Sequence, residues 1–205
     1  MQANMPGRST EEQLAQHVVR LAQKTEALDD FAGLVAHDVR SSLLAGLRDD
    51  DPRGGLLRAL ELVDSILEAV RADQRGTGLA RLAECTQLAI ADLGDVGAEI
   101  GASVTGEFPI PPDALRLVLR NLLGNAVAAG AKQIHVSALA RGARRILVVD
   151  DDGIGFGSAG SYATGSELGL RLCRRLVERS GGALELRPRA VRGTRAMIVA
   201  GGAEA

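Results

Sequence analysis

Ile146-Leu147-Val148-Val149-Asp150-Asp151-Asp152-Gly153-Ile154-Gly155 is the stretch on which the reading of this chain turns. Four apolar residues predict a buried strand, and carboxylates and glycines follow at once. A strand that delivers a carboxylate into a pocket and then turns on glycine can hold a purine. The carboxylate accepts a hydrogen bond from an exocyclic amine, and the glycines let backbone approach the ring. Taken alone, Asp151-x-Gly153-x-Gly155 fits many loops. The segments on either side narrow the choice.

Upstream, Pro112-Asp113 opens a helix in which Leu115, Val118, Leu119, Leu122 and Leu123 recur at helical spacing. Asn121 and Asn125 stand four apart and share one face. Such a pair is an ordinary set of helix-surface or capping residues unless something polar faces it. Mg²⁺ with the phosphates it carries would be such a partner, because Mg²⁺ takes hard oxygen ligands. Downstream, Thr164-Gly165-Ser166-Glu167-Leu168-Gly169-Leu170 leads into an apolar-striped helix from Leu170 to Ser180, stopped by Gly181-Gly182. A glycine-containing loop that enters a helix is a natural phosphate site, since unpaired N–H groups point outward there. Ala183-Leu184-Glu185-Leu186 reads as a strand, Arg192-Gly193-Thr194 as a turn, and Ala196-Met197-Ile198-Val199 as a closing strand.

Four motifs therefore stand in one order: Asn121-Leu122-Leu123-Gly124-Asn125-Ala126, Asp151 to Gly155, Gly165 to Leu170, and Gly193-Thr194. This set resembles the N, G1 and G2 boxes and the last glycine turn of the ATP-binding domain of sensor histidine kinases. That domain belongs to the wider family of Hsp90-type and gyrase-type ATPases. The resemblance covers roughly Leu79 to the C-terminus and implies ATP and Mg²⁺ as cofactors. It implies that Asp151 contacts adenine, that Asn125 holds Mg²⁺, and that Asn121 assists at the phosphates. Gly153, Gly155, Gly165, Gly169, Leu170 and Thr194 complete the implied nucleotide site.

Phe31-Ala32-Gly33-Leu34-Val35-Ala36-His37-Asp38-Val39-Arg40-Ser41-Ser42-Leu43 resembles the histidine kinase H box. The resemblance implies that His37 is the phosphoacceptor and that Asp38 orients or deprotonates its imidazole. The chemistry is coherent: a neutral imidazole is a nucleophile near pH 7, and an adjacent carboxylate can fix its tautomer. His17 and His135 lack such surroundings and read as solvated side chains.

Departures from the family pattern bear on activity. After Asn125-Ala126 the pattern places a Lys or Arg and then an aromatic or His; this chain has Ala128 and Ala129. Glu167 stands at the second glycine of the G2 box, where its charge would repel polyphosphate unless Mg²⁺ intervenes. The segment between Gly155 and Gly165 is short for an ATP lid, and Ser42 replaces the proline that usually follows the H box. About ten residues separate His37 from the turn at Asp49, which shortens the surface available to a receiver.

Ser9-Thr10-Glu11-Glu12 offers a capping box, and Leu14, Val18, Leu21, Thr25, Leu28, Ala32 and Val35 then alternate as a coiled-coil seam. Asp49-Asp50-Asp51-Pro52-Arg53-Gly54-Gly55 breaks it as a hairpin turn. Leu56, Leu60, Val63, Ile66, Leu67 and Val70 stripe a second helix. Each helix has more apolar surface than one partner can cover, so two hairpins are expected to pack as a four-helix bundle in a homodimer. Gln74-Arg75-Gly76-Thr77-Gly78 is the linker. Leu79 to Leu93 then reads as a helix with Val96 to Ile100 continuing its apolar face, Ser103 to Phe108 as strand-like, and Ala131 to Ala138 as a strand. The expected fold class is α+β. Residues 1–75 form the helical dimerisation and phosphoacceptor domain, and residues 79–205 an α/β sandwich of three helices against a mixed sheet.

The 205 residues allow one or two small domains, and a formal net charge of −2 leaves no basic footprint for nucleic acid. No apolar run of about 18 residues would span a membrane, and Met1 to Glu12 lacks a signal-like apolar core. Two cysteines far apart in sequence suit a reduced cytoplasmic protein. With no Trp, one Tyr and three Phe, the core must be aliphatic. Three functions fit. The first is a cytoplasmic histidine kinase that phosphorylates His37 from Mg·ATP and passes the group to a response-regulator receiver. The second is a histidine phosphotransferase that does not use ATP. The third is a non-enzymatic dimeric nucleotide-binding module.

Overall fold

The computed structural model describes residues 78–155 and 167–201, together with isolated helical positions within 36–63. The chain divides into two compact units, Met1–Ala59 and Leu60–Ala205. In the first, the described leucines Leu44, Leu47 and Leu56 are exposed. His37, Asp38, the expected coiled-coil seam and Asp49 to Pro52 of the expected hairpin turn lie outside the described residues, as does Gly165; Arg53, expected within that turn, is helical.

In the second unit, β1 (Ala80–Arg81), α1 (Leu82–Leu93), β2 (Glu99–Ser103), β3 (Glu107–Phe108), α2 (Pro112–Ala128), β4 (Gln133–Arg141), β5 (Arg144–Asp151), α3 (Glu167–Arg179), β6 (Ala183–Pro188) and β7 (Thr194–Ala200) follow one another. The main sheet has the order β2-β4-β5-β7-β6, and β1 pairs with β3 in a separate two-stranded ribbon. Only β2 and β4 run parallel. Their connection carries α2, since a parallel pair needs a crossover rather than a hairpin. The α+β class, with three helices and a mixed sheet among the described residues from Gly78 on, agrees with the sequence reading for residues 79–205.

Pro111 caps α2 in an extended conformation and Pro112 takes its first turn, where a missing N–H costs nothing. Leu115, Val118, Leu119, Leu122 and Leu123 are all buried, as their spacing predicts. Full burial of each stabilises by roughly 1.5–3 kcal/mol, so this face is a large share of the core. The helix ends in a Schellman turn: Gly130 N–H donates to Val127 O, Ala131 N–H donates to Ala126 O, and Gly130 takes φ 72°. Gly181 and Gly182 close α3 by the same pair of bonds, to Glu178 O and Val177 O.

The sheet alternates as a half-covered sheet should. Ile134, Val136, Leu147, Val149, Ala196 and Ile198 are buried. The intervening row, with His135 opposite Asp150 and Asp150 opposite Arg195, lies on the other face. Arg195 grips the Asp150 carboxylate with Nε and Nη2, both at 2.7 Å.

Three elements differ from the sequence reading. The helix expected from Leu79 begins at Leu82, because Ala80 and Arg81 pair with Phe108 and Glu107 instead. Ile100 belongs to β2 and does not extend α1, which stops at Gly94 with φ 67°. Ser103 to Phe108 is not one strand but the end of β2, a turn at Gly106 with φ 83°, and the two residues of β3.

Candidate functional site

The end of β5 is where the predicted carboxylate sits, and the structure buries it. Asp151 is 6% exposed. Its Oδ1 accepts hydrogen bonds from Gly153 N–H at 2.8 Å and from Thr194 N–H at 3.1 Å. Both bonds fall on Oδ1 and no described residue bonds Oδ2, so Oδ2 is the oxygen that could accept from a ligand. Bonds of a buried carboxylate to N–H donors are charge-assisted and hold it in one orientation.

The backbone around it is tightly drawn. A Cβ on Gly193, which has φ 94°, would lie 1.8 Å from Asp151 O. One on Gly153 would lie 2.9 Å from Ala129 O and 3.0 Å from Ala129 Cβ. Ile154 N–H donates to that same Ala129 carbonyl at 3.0 Å. Gly155, at φ 88°, approaches Gly193 from the other side. The neighbouring Asp152 carboxylate faces away from this cluster and caps the start of β4. Its Oδ1 accepts from Lys132 and Gln133 N–H at 2.7 and 3.0 Å, and those bonds, Gln133 first, hold its carboxyl below the usual range.

Asn121, Asn125 and Ala129 are spaced four apart and form one ridge along α2. Its two ends touch the predicted boxes. Ala129 meets Gly153, and Oδ1 of Asn121 lies 2.8 Å from where a Cβ on Gly169 would be. The ridge therefore runs from the Asp151 turn to the first turn of α3, where Leu170 is half-buried. Asn121 donates its amide N–H to Leu117 O at 2.9 Å. That ties its amide hydrogen to its own helix and leaves its oxygen toward Gly169. Asn125, in the middle, is different: its Nδ2 is buried without a hydrogen-bond partner among the described residues. An orphan amide in the interior is costly unless a ligand completes it.

This donor set fits a nucleotide with Mg²⁺. Oδ2 of Asp151 suits a purine amine, the Asn125 amide nitrogen suits a phosphate oxygen, and its amide oxygen is a hard ligand of the kind Mg²⁺ takes. Among the described residues no cluster of three or more His, Cys, Asp or Glu could hold a metal by itself. Mg²⁺ would therefore arrive largely coordinated by phosphates and water.

Two residues at this site carried no signal in the sequence reading. Arg189 donates from Nη1 to Asp151 O at 2.8 Å, and Arg192 from Nε to Gly153 O at 3.0 Å. Their sequence cue was only the density of arginines in Arg187-Pro188-Arg189-Ala190-Val191-Arg192-Gly193-Thr194-Arg195, which also fits a solvated turn.

Fold and site together make an α/β sandwich with a clamped buried carboxylate and an orphan amide on one ridge. Comparison with known proteins says what it resembles. Residues 110–200 match the family model described as "Histidine kinase-, DNA gyrase B-, and HSP90-like ATPase". The sensor histidine kinase AruS of Pseudomonas aeruginosa is 40% identical over an alignment that takes in 39% of this chain. That alignment spans 10% of AruS, so the chain corresponds to about a tenth of that relative. Among solved structures, the ATP-binding domain of PrrB from Mycobacterium tuberculosis is similar with a TM-score of 0.53 and 23% identity. It covers 62% of this chain and 98% of its own. The Acinetobacter baumannii histidine kinase AdeS gives a TM-score of 0.55 at 14% identity, over 83% of this chain and 96% of its own. At these identities the likeness is one of fold.

Proposed function

We propose that the protein is a two-component histidine kinase that phosphorylates His37 from Mg·ATP and passes the phosphoryl group to an aspartate of a response-regulator receiver. The observation that carries this reading is the clamped Asp151, a buried carboxylate with one oxygen fixed by two backbone donors and the other left for an amine. Adenine supplies that amine, and the ridge from Ala129 to Asn121 leads from the base toward the phosphates. Asn125 would hold Mg²⁺, which when bound supplies charge neutralisation on the phosphate oxygens. Gly165, Gly169, Leu170 and Thr194 would line the same nucleotide.

His37 would attack the γ-phosphorus through a ring nitrogen, the bond to the ADP oxygen would break, and Asp38 would hold the imidazole tautomer and take up the proton that the ring loses. Residues 1–75 would carry this histidine on a dimeric hairpin, with residues 79–205 as the ATP-binding domain. No helix among the described residues is long and apolar enough to cross a membrane, and a cytoplasmic site of action is part of the proposal.

A second reading, a nucleotide-binding module or a phosphotransferase, is favoured by Ala128, Ala129 and Glu167, which remove a cation and add a carboxylate where phosphates would lie. Incubation with Mg²⁺ and γ-labelled ATP separates the readings. Acid-labile label that disappears in His37→Gln, with nucleotide affinity unchanged, is the expected result. A folded protein that binds ATP without labelling would rule out the kinase and leave the second reading.

A further inference from the structure

The turn between β6 and β7 does more than reverse the chain. Arg189 and Arg192 both leave it toward the end of β5 and finish on backbone carbonyls, Asp151 O at 2.8 Å and Gly153 O at 3.0 Å. These carbonyls lie beyond Asp150, the last residue of β5 that is paired with β7. No ladder bond to β7 fixes them, and the two guanidinium groups take that place. The Asp151 carboxylate on the same loop is itself held by N–H groups of Gly153 and Thr194. The turn thus grips the backbone at Asp151 and again two residues on, at Gly153.

We infer that Arg189 and Arg192 are positioning residues that set the preference of this site for adenine over guanine nucleotides. The inference rests on the reading of Asp151 as the base-binding carboxylate. A fixed acceptor meets the adenine amine as a donor but meets guanine O6 as a second acceptor, which it repels. A carboxylate free to shift by an ångström can turn to the N1–H and amine of guanine instead. Rigidity of the loop, rather than the carboxylate alone, is then the source of discrimination.

Calorimetric binding of Mg·ATP and Mg·GTP to the full chain tests this in the wild type, Arg189→Ala, Arg192→Ala, the two Lys variants and Asp151→Asn. Each Ala variant is expected to weaken ATP about ten-fold, the worth of one hydrogen bond to a charged donor. GTP should change by less than about two-fold, because its contact gains from the freed loop what it loses. Lys variants should restore part of the ATP preference, since an ammonium still donates. Amide exchange at Gly153 and Thr194 in nucleotide-free protein should quicken in the Ala variants, a readout that needs no ligand. Equal weakening of ATP and GTP would reduce the arginines to charge or stability, and an unchanged ratio with unchanged exchange would overturn the inference outright. A wild type that does not bind ATP, or Asp151→Asn binding it as tightly as the wild type, would remove the adenine site and the inference with it. A large loss in Asp151→Asn with none in the arginine variants would overturn the arginine role alone.

Discussion

Gly193→Ala puts the site's backbone logic to a direct test. Gly193 has φ 94°, and a Cβ there would sit 1.8 Å from Asp151 O, 2.6 Å from its carbonyl carbon and 2.9 Å from Asp152 Cα. None of these is the far end of a flexible side chain, so the strands must separate. The cost has two parts: about 1–2 kcal/mol for an L-residue at positive φ, and about 1–3 kcal/mol for forced repacking of a close contact. Separation would also stretch the Thr194 N–H bond to Asp151 Oδ1, a charge-assisted bond worth about 1.5–3 kcal/mol. These are not additive, and a loss of about 3 kcal/mol or more is expected. Gly142→Ala is the control, because Gly142 has φ 57° with nothing within 4 Å of its added Cβ. It bears the conformational cost alone, about 1 kcal/mol. Urea unfolding followed by circular dichroism gives both numbers. If the two variants differ by less than about 1 kcal/mol, the close approach of Gly193 to Asp151 does not exist in solution and the clamped carboxylate loses its basis.

Other perturbations read other parts of the molecule. Asn125→Ala removes a buried amide that has no hydrogen-bond partner among the described residues, so nucleotide-free stability should not fall and should rise by up to about 1–3 kcal/mol while Mg·ATP affinity falls; a loss of stability without nucleotide would show that the amide is already bonded. Burial pushes the Cys173 thiol up to about 12 and raises that of Cys85, so neither should react with a disulfide reagent at pH 8 until the chain is unfolded. Fast labelling of folded protein would contradict that burial. Arg116 holds the Asp92 carboxyl below its usual range through a hydrogen bond. A depressed carboxylate stabilises above the unfolded value and loses that contribution as pH falls through the folded one. With both partners partly exposed, the gap between wild type and Asp92→Asn should be below about 1 kcal/mol at pH 7 and close by pH 2; a gap that persists there would assign it to something other than charge. ADP and ATP, each without Mg²⁺, should bind within about three-fold of each other; a hundred-fold preference for ATP would reveal a cation at the γ-phosphate.

What the sequence made legible follows from how strongly each element is patterned. The aliphatic stripe of α2 and the alternation of β4 and β7 repeat over many residues, and each was found close to its true bounds. That Asp151, Gly153, Gly155 and Thr194 stand together was also legible, because a carboxylate at a strand end and glycines at tight approaches are local features; their role toward a nucleotide belongs to the proposal. β1 and β3 were not, since two-residue strands carry no period and Ala80 finds Phe108 across 28 positions. β2 was obscured by Gly101 and Ala102, weak strand formers, and by Gly94 and Gly97 before it. Arg189 and Arg192 act through backbone carbonyls 38 and 39 positions away. Any residue offers a carbonyl, so no pattern of residue types could have announced the partner.

The two ends of the site are built by different means, and this decides where binding energy should lie. At the base end, N–H groups, carbonyls and two guanidinium groups fix a single carboxylate. Beside this base end α2 closes on Ala128, which is exposed, and Ala129, whose carbonyl is taken by Ile154 N–H and whose methyl touches the space above Gly153; the ridge runs from there through Asn125 to Asn121 at the other end. Replacing Ala129 with a larger residue would drive the β5 loop off the helix, so in this chain smallness there serves the base site. No Lys, Arg or His occurs from Asp151 to Leu170 either. What remains for phosphates from these stretches is the orphan amide of Asn125 and the amides at the start of α3, neutral donors roughly half as strong as charged ones. On the proposed reading, recognition would weigh on the base, and the γ-phosphate would be steadied by whatever Mg²⁺ the nucleotide brings. If the proposed kinase reading holds, such a site would hold its nucleotide by the adenine and leave the transferable group comparatively free of protein charge.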